Sequence, residues 1–234
     1  MAEARLNIVK TRDITNPTYY VQAIQTEFRD VAYDEVRAAE FRGQWREKSF
    51  GVSDPSMPMD LEIGTGNGFF FAHRAQTNPD RLLVGLEIKF KPLIQAIRRA
   101  LTNGSKNARM ARYHAAFLEN LFVPGEIEHI FIHHPDPWTK RSTQKHRLLR
   151  SEYLMKLHQL QKSNGFIDFK TDSREYFIWA AEQFKNTPYQ IERYSEDLHR
   201  SEWSGENFMT YFEKMFSVNG QPIFYLRARK IDSQ

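Results

Sequence analysis

One junction constrains this chain more than any other. The short apolar run Met59-Asp-Leu-Glu-Ile63 leads straight into Gly64-Thr-Gly-Asn-Gly68, and a helical stretch follows through Ala75. Glycines between a strand and a helix let the backbone turn tightly and approach a ligand closely. The preceding segment, Gly51 to Pro58, is rich in turn residues and marks a stop before the core begins. Downstream the pattern repeats. Strands are predicted over Leu82 to Glu87, Ala108 to His114, Ile127 to His133 and Gly165 to Thr171, with Tyr189 to Tyr194 and Ile223 to Arg229 closing the chain. Helices are predicted over Lys91 to Leu101, Gln144 to Gln161 and Arg174 to Phe184. Such alternation points to an α/β fold with a mostly parallel sheet. Residues 1–56 read as a polar, charge-mixed N-terminal lead-in, partly flexible, with helix expected within Tyr19 to Arg46. Residues 57–234 read as one α/β domain.

The glycine loop has an acidic partner. Glu87 ends the second strand, roughly 20 residues on, where a carboxylate can accept ribose hydroxyls of a nucleoside. The dinucleotide fingerprint G-x-G-x-x-G would place its third glycine at position 69, which is Phe69; the spacing here is G-x-G-x-G. The G-K-[ST] of a P-loop is absent, and the loop carries no Lys or Arg. S-adenosylmethionine suits this site. It has no phosphates, and its ammonium and sulfonium favour a site with Glu62 and Glu87 and no local cation. A bare strand–helix turn is the competing reading; the position after a strand and the matching Glu87 weigh against it.

A second segment carries chemistry. The strand Ile130-Phe-Ile-His133 ends in His134-Pro-Asp-Pro-Trp-Thr-Lys-Arg141. Ligands of open α/β sheets bind outside such strand ends. Two prolines pin the backbone around Asp136, and Trp138 lies beside it. The net charge is only +4, with a pI near 9.2, so distribution matters more than sum. No acid occurs from Ile88 to Leu118, which holds Lys89, Lys91, Arg98, Arg99, Lys106, Arg109 and Arg112. None occurs from Trp138 to Arg150, which holds Lys140, Arg141, Lys145, Arg147 and Arg150. The runs read either as solvated helix faces or as cations facing a polyanion. Beside the Pro-Asp-Pro-Trp loop they suggest a base held next to a phosphate backbone.

With no cysteine, disulfides, cysteine–zinc sites and thiolate catalysis are excluded. No apolar run approaches a membrane span, and Met1 to Asn16 lacks a signal-peptide core. A cytoplasmic protein is expected. His129, His133, His134 and His146 lack the H-E-x-x-H pattern, and no metal site is expected.

Taken in order, Glu62–Gly68, Glu87, Pro135-Asp-Pro-Trp138 with its basic tail, Lys170-Thr-Asp172 and Thr210-Tyr-Phe-Glu213 resemble the tRNA (guanine-N7)-methyltransferase family over about residues 59–230. The resemblance implies a class I S-adenosylmethionine-dependent methyltransferase with a Rossmann-like fold, in which 57–234 would be the methyltransferase domain. Its sheet would have seven strands, mostly parallel, with the last antiparallel. Glu62, Gly64, Gly66, Gly68 and Glu87 would contact the cofactor, with Ala115 and Ala116 at the adenine loop. Asp136 would lie at the methyl-transfer centre. Lys140, Asp172 and the segment Thr210, Tyr211, Phe212, Glu213 would hold a guanine of the tRNA variable loop. This chain departs from the family at Ala115, where an acidic residue is usual, and at His133-His134, where apolar or aromatic residues are common. No partner subunit is evident. Two other readings stay open: a class I methyltransferase for a different substrate, and a non-catalytic RNA-binding module on the same fold.

The implied chemistry is simple. N7 of guanine carries a lone pair and no proton, so its methylation needs no general base. The product base is cationic, and a fixed carboxylate beside it stabilises the developing charge. That role is expected of Asp136, with Asp172 and Glu213 accepting from the guanine N1–H and N2–H. The base must be splayed out to react, and Trp138 and Tyr211 are candidate stacking surfaces.

Overall fold

A computed structural model describes residues 17–218 and 220–231. The chain divides into two compact units at Glu126 and Ile127. Eight strands are described, four in each unit, where the resemblance implies seven. The additional one, β1 (Ala32–Tyr33), lies in the segment read as lead-in.

In the first unit β2 (Met59–Ile63), β3 (Leu82–Leu86) and β4 (Ala108–Ala111) run parallel, and β1 adds to β4, giving the order β1-β4-β3-β2. Met59 pairs with Leu82, Leu83 with Ala108 and Ala32 with Met110. Every residue of β2 and β3 is buried, as expected of a parallel sheet covered on both faces. The helix α1 (Thr18–Gln25) precedes β1, and α2 (Glu35–Glu40) follows it, capped by the Asp34 side chain. The described part of the lead-in therefore holds two short helices and a strand, and a π-helical turn at Trp45–Ser49, in place of one helix. Trp45 fixes that turn. It is fully buried, donates to the Leu121 carbonyl at 2.8 Å and stacks on Phe122.

Helix α3 (Phe69–Thr77) follows the glycine loop, and α4 (Phe90–Thr102) follows β3. Phe90, Leu93, Ile94, Ala96, Ile97 and Ala100 recur at three- and four-residue spacing, and all are buried. One charge in β2 is tied down at both ends: Asp60 accepts from Arg74 at 2.7 Å and from Arg81 at 2.6 Å.

In the second unit β5 (Ile130–His133) and β6 (Phe166–Thr171) are parallel. The last strand, β8 (Phe224–Lys230), runs antiparallel to β6 and to β7 (Tyr189–Ser195), giving β5-β6-β8-β7. The antiparallel last strand is as the resemblance implies. Asp168 of β6 takes two bonds from Arg227, both 2.7 Å, and one from the Tyr225 hydroxyl, so its buried charge is paired.

The helix expected over Gln144 to Gln161 is interrupted. A 3-10 turn covers Arg141–His146, and α5 begins only at Ser151, ending at Leu160. The break has a cause: Arg147 and Leu149 are buried, and Arg147 is drawn toward α6 (Arg174–Lys185). Its guanidinium donates to Glu175 at 2.7 Å and lies over the rings of Tyr176 and Trp179. A final helix, α7 (Tyr211–Val218), was not legible as such in the sequence. Among the described residues no helix is long and apolar enough to cross a membrane, and no group of three His, Asp or Glu side chains could hold a metal ion.

Candidate active site

The first unit presents the glycine loop as a finished structure. The N–H groups of Gly64 and Thr65 both donate to the Leu86 carbonyl, at 2.9 and 3.1 Å. Gly68 donates to the Thr65 carbonyl at 3.0 Å, and Gly66 to Glu87 Oε2 at 3.1 Å. Four loop amides are thus spent within the protein. A phosphate cradle requires such amides to point at the ligand, so these offer none. Gly64 and Gly66 have φ of 79° and 52°, and a Cβ built on either meets nothing within 4 Å. The backbone there is bare on its open side.

Glu87 is pinned from below. Its Oε1 accepts from the amides of Ile88 and Lys89, at 2.8 and 3.0 Å, while Oε2 holds Gly66. A carboxylate has about four acceptor positions, so Oε2 keeps capacity for one more donor. Glu62 lies buried in β2, two residues before the loop. Thr65 adds a buried hydroxyl with no hydrogen-bond partner among the described residues. A loop with four of its amides already bonded, two carboxylates and a waiting hydroxyl fits a phosphate-free cationic nucleoside such as S-adenosylmethionine. Arg99 borders the loop from outside: it donates to the Asn67 carbonyl at 3.3 Å and lies over the Phe69 ring.

Ala115 and Ala116 open a 3-10 turn, Ala115–Asn120. The Ala116 N–H is taken by Nδ1 of His114, at 3.1 Å. Burial lowers the His114 pKa, so its ring is neutral and presents Nε2–H. His114 is a polar group at the expected adenine loop that the sequence reading missed. The signal lies one residue before Ala115, in a side chain that is not a carboxylate.

The second unit carries the other candidate residues. Beyond β5 the backbone twists into the left-handed region at His134 (φ 51°) and again at Trp138 (φ 44°), on either side of Pro135-Asp136-Pro137. Left-handed φ is rare in residues other than glycine and signals an imposed conformation. The loop is buckled by Arg147, which donates to the Pro137 carbonyl at 2.9 Å and is fully buried. Asp136 stands exposed on this braced loop, as do Lys140, Arg141 and Lys145. Trp138 is 39% exposed, and its ring lies tilted against His146, 5.3 Å between centroids.

Behind the loop a charged hub is buried. Glu213, fully inaccessible, accepts from Lys170 Nζ at 3.1 Å and Asn207 at 2.9 Å, and lies 3.3 Å from His199 Nε2. Its backbone N–H is capped by Thr210 Oγ1 at 3.2 Å. Burial opposes ionisation of Glu213, but His134, Lys170 and Asn207 outweigh it and hold the carboxyl well below the usual range. The structure therefore brings Asp172, Thr210 and Glu213 into one cluster, with Glu213 inside it rather than on its surface. Asp172 keeps a side-chain exposure of 35%, and His134 lowers its pKa. Phe212, beside Glu213 on α7, is 51% exposed.

Several expected surface cations are structural. Arg112 is buried against Glu35 and donates to the Ile88 carbonyl. Arg109 binds the carbonyls of Ser49, Lys106 and Ala108. With Arg147 committed to Pro137 and Glu175, the acid-free runs are in good part internal bracing.

Comparison with known proteins gives the family and the fold. A family model described as a putative methyltransferase matches residues 56–226. The chain is 49% identical to a tRNA (guanine-N(7)-)-methyltransferase of Bdellovibrio bacteriovorus, over 89% of this chain and 100% of that one. It is 33% identical to the tRNA (guanine-N(7)-)-methyltransferase of Bacillus subtilis, over 80% of this chain and 85% of that one. Among solved structures, the 16S rRNA methyltransferase KamB superposes with a TM-score of 0.55 at 17% identity, covering 75% and 88% of the two chains. A 16S rRNA (adenine(1408)-N(1))-methyltransferase with cosubstrate SAM, from Catenulisporales acidiphilia, gives 0.52 at 12% identity, covering 85% and 90%. These two likenesses speak for the fold alone, a class I methyltransferase fold. Sequence identity that extends along an entire relative, together with the family match, shows that this chain belongs to the tRNA (guanine-N(7)-)-methyltransferase family.

Proposed function

We propose that this protein transfers a methyl group from S-adenosylmethionine to N7 of a guanine in the variable loop of tRNA, forming 7-methylguanosine in the cytoplasm. The observation that carries the reading is the braced loop: an exposed Asp136 between two prolines, buckled by Arg147 and followed by exposed Lys140, Arg141 and Lys145. When bound, the cofactor supplies an electrophilic methyl on a sulfonium. The cofactor residues are Glu62, Gly64, Gly66, Gly68 and Glu87, with Ala115 and Ala116 at the adenine and His114 as the polar group of that loop. Glu87 would accept one ribose hydroxyl through its remaining position on Oε2, and the bare backbone at Gly64 and Gly66 admits close approach.

Asp136 acts at the methyl-transfer centre. With the cofactor bound, the N7 lone pair would take the methyl group as its bond to sulfur is given up, leaving the guanine cationic. No proton moves, so Asp136 serves as a fixed counter-charge and not as a base. Asp172 accepts from the guanine edge. Glu213, enclosed by Lys170, Asn207 and His199, holds Thr210, Tyr211 and Phe212 in place for the same base. Lys140 pairs with the phosphate backbone, and the exposed faces of Trp138 and Phe212 offer stacking surface.

The test uses the full chain alone, unmodified tRNA and S-adenosylmethionine, with 7-methylguanosine mapped by borohydride–aniline cleavage. A single cut in the variable loop is expected. Methylation at another base or atom, or none, would overturn the proposal.

A further inference from the structure

The methyl-transfer chemistry leaves one buried group unused. His134 follows directly on β5, held at φ 51° with its N–H bonded to the Lys170 carbonyl at 2.8 Å. Its side chain is 8% exposed. The rings of Phe212 and Phe216 lie 6.4 and 6.1 Å from it, centroid to centroid. Each ring nitrogen faces a different carboxylate: Nδ1 is 3.6 Å from Asp172 Oδ1, and Nε2 is 3.7 Å from Glu213 Oε1. A neutral imidazole has one N–H and could serve only one of them. Both separations are ion-pair and not hydrogen-bond distances, and the imidazolium, with an N–H directed at each carboxylate, has its buried charge compensated on two sides. The charges facing it are few. Asp172 and Glu213 are anionic; Lys170 is cationic and bonded to Glu213; His133 is buried and kept neutral chiefly by that burial; His199 shares Glu213. With His134 charged, two anions meet two cations. With it neutral, one anion is left over, and the ionic link from Asp172 through His134 to Glu213 of α7 is lost.

We propose that protonated His134 is a positioning residue that clamps Asp172 to Glu213 and thereby sets the pH range over which the guanine is held. The inference rests on the assignment of Asp172 and the Thr210–Glu213 segment to the guanine. Burial works against the cation, but Asp172 and Glu213 outweigh it, and the net shift is upward. His134 therefore gives up its proton at a higher pH than an ordinary histidine does. As it does, Asp172 is released. The KM for tRNA then rises, while cofactor affinity, set by residues of the first unit, stays constant.

The experiment has two readouts on the full chain. Imidazole NMR follows the histidines against pH, with His134 identified by its loss in His134→Asn, a residue that tolerates left-handed φ. Steady-state kinetics with unmodified tRNA then gives kcat and KM against pH for the wild type, His134→Asn and His134→Gln. His134 is expected to titrate above ordinary histidine, at the midpoint where the wild-type KM rises. Both variants are expected to show a KM for tRNA raised roughly ten- to a hundredfold at pH values below the wild-type midpoint. They should lose the alkaline limb and bind S-adenosylhomocysteine as the wild type does. A His134 that titrates at or below the ordinary value overturns the clamp. So does a variant profile parallel to the wild type, or a loss of cofactor affinity in step with tRNA. Should both variants misfold, the wild-type titration and its KM midpoint decide the matter. A wild type that makes no 7-methylguanosine refutes the function proposed above, and the titration still tests the clamp.

Discussion

Two glycines of one loop separate folding from binding, and substituting each by alanine tests the reading of the whole first unit. A Cβ on Gly68 would lie 2.3 Å from Ala96 Cα and 2.4 Å from its Cβ, in the buried middle of α4. Backbone cannot withdraw as a flexible side chain can. The φ of 74° adds a penalty for any L side chain, about 1 kcal/mol. Overpacking adds about 1–3 kcal/mol, so Gly68→Ala should cost about 3 kcal/mol. For a chain of this size each kcal/mol moves Tm by about 2–4 °C, giving a fall of about 6–12 °C. Gly66 shares the left-handed φ, at 52°, but its Cβ meets nothing within 4 Å. Gly66→Ala should therefore lose only about 1 kcal/mol, or about 2–4 °C.

Binding should rank the other way. The methyl of Gly66→Ala stands on the open side of the loop, where the cofactor is proposed to lie. An affinity loss of about tenfold or more, at least about 1.4 kcal/mol, is expected. Thermal melts give the first quantity, and calorimetry with S-adenosylhomocysteine the second. If Gly66→Ala melted lower than Gly68→Ala, or bound the ligand as tightly as the wild type, the cofactor cradle would not lie on the open side of this loop.

Replacing Asp136 by Asn should lower kcat about a hundredfold, the scale of losing one preorganised electrostatic partner, with unchanged S-adenosylhomocysteine affinity; single-turnover methylation measures it. Lys140→Ala and Lys145→Ala should each reduce the slope of log K against log salt for tRNA binding by about 0.7–0.9. Arg147→Met should leave that slope intact, because its guanidinium is committed to Pro137 and Glu175, and should cost about 2–3 kcal/mol of stability instead. The hub also fixes a pH window. Glu213 has a depressed pKa, so its contribution is complete above the unfolded carboxyl value, roughly 4.3, and fades as pH falls below it. His134 is raised, so its contribution is complete below roughly 6.5 and is lost as pH rises through the folded value. Urea denaturation across pH should show both limbs, and Glu213→Gln should flatten the acid one.

What could be read in advance was what short-range rules decide. The apolar spacing of α4 and the all-buried strands β2 and β3 each carry their own signature over a few residues. So does a glycine loop, whose meaning depends on the strand before it and the helix after it. The elements that escaped are those fixed by distant partners. Strand β1 is two residues long and exists because Ala32 and Tyr33 find Met110 and Ala111. The turn at Arg147 breaks a helical pattern because Glu175 and the Trp179 ring supply a better environment than another helical turn. Helix α7 starts where Thr210 caps Glu213, and Glu213 is anchored by Lys170 of β6.

Charge was the least legible quantity for the same reason. A run of Lys and Arg without acids looks like a surface for a polyanion. Yet a guanidinium has five donors, and backbone carbonyls are invisible in a charge count. Arg109 satisfies itself on three carbonyls and Arg112 on a carbonyl and a distant glutamate, so neither is spare for phosphate. The opposite error occurs with the acids. Glu213 reads as a guanine acceptor from its motif, but full burial among Lys170, Asn207 and His199 makes it the anchor and leaves Asp172 as the accessible carboxylate. A motif identifies which residues matter together; which of them faces the substrate is decided by the partners that the fold brings to each one.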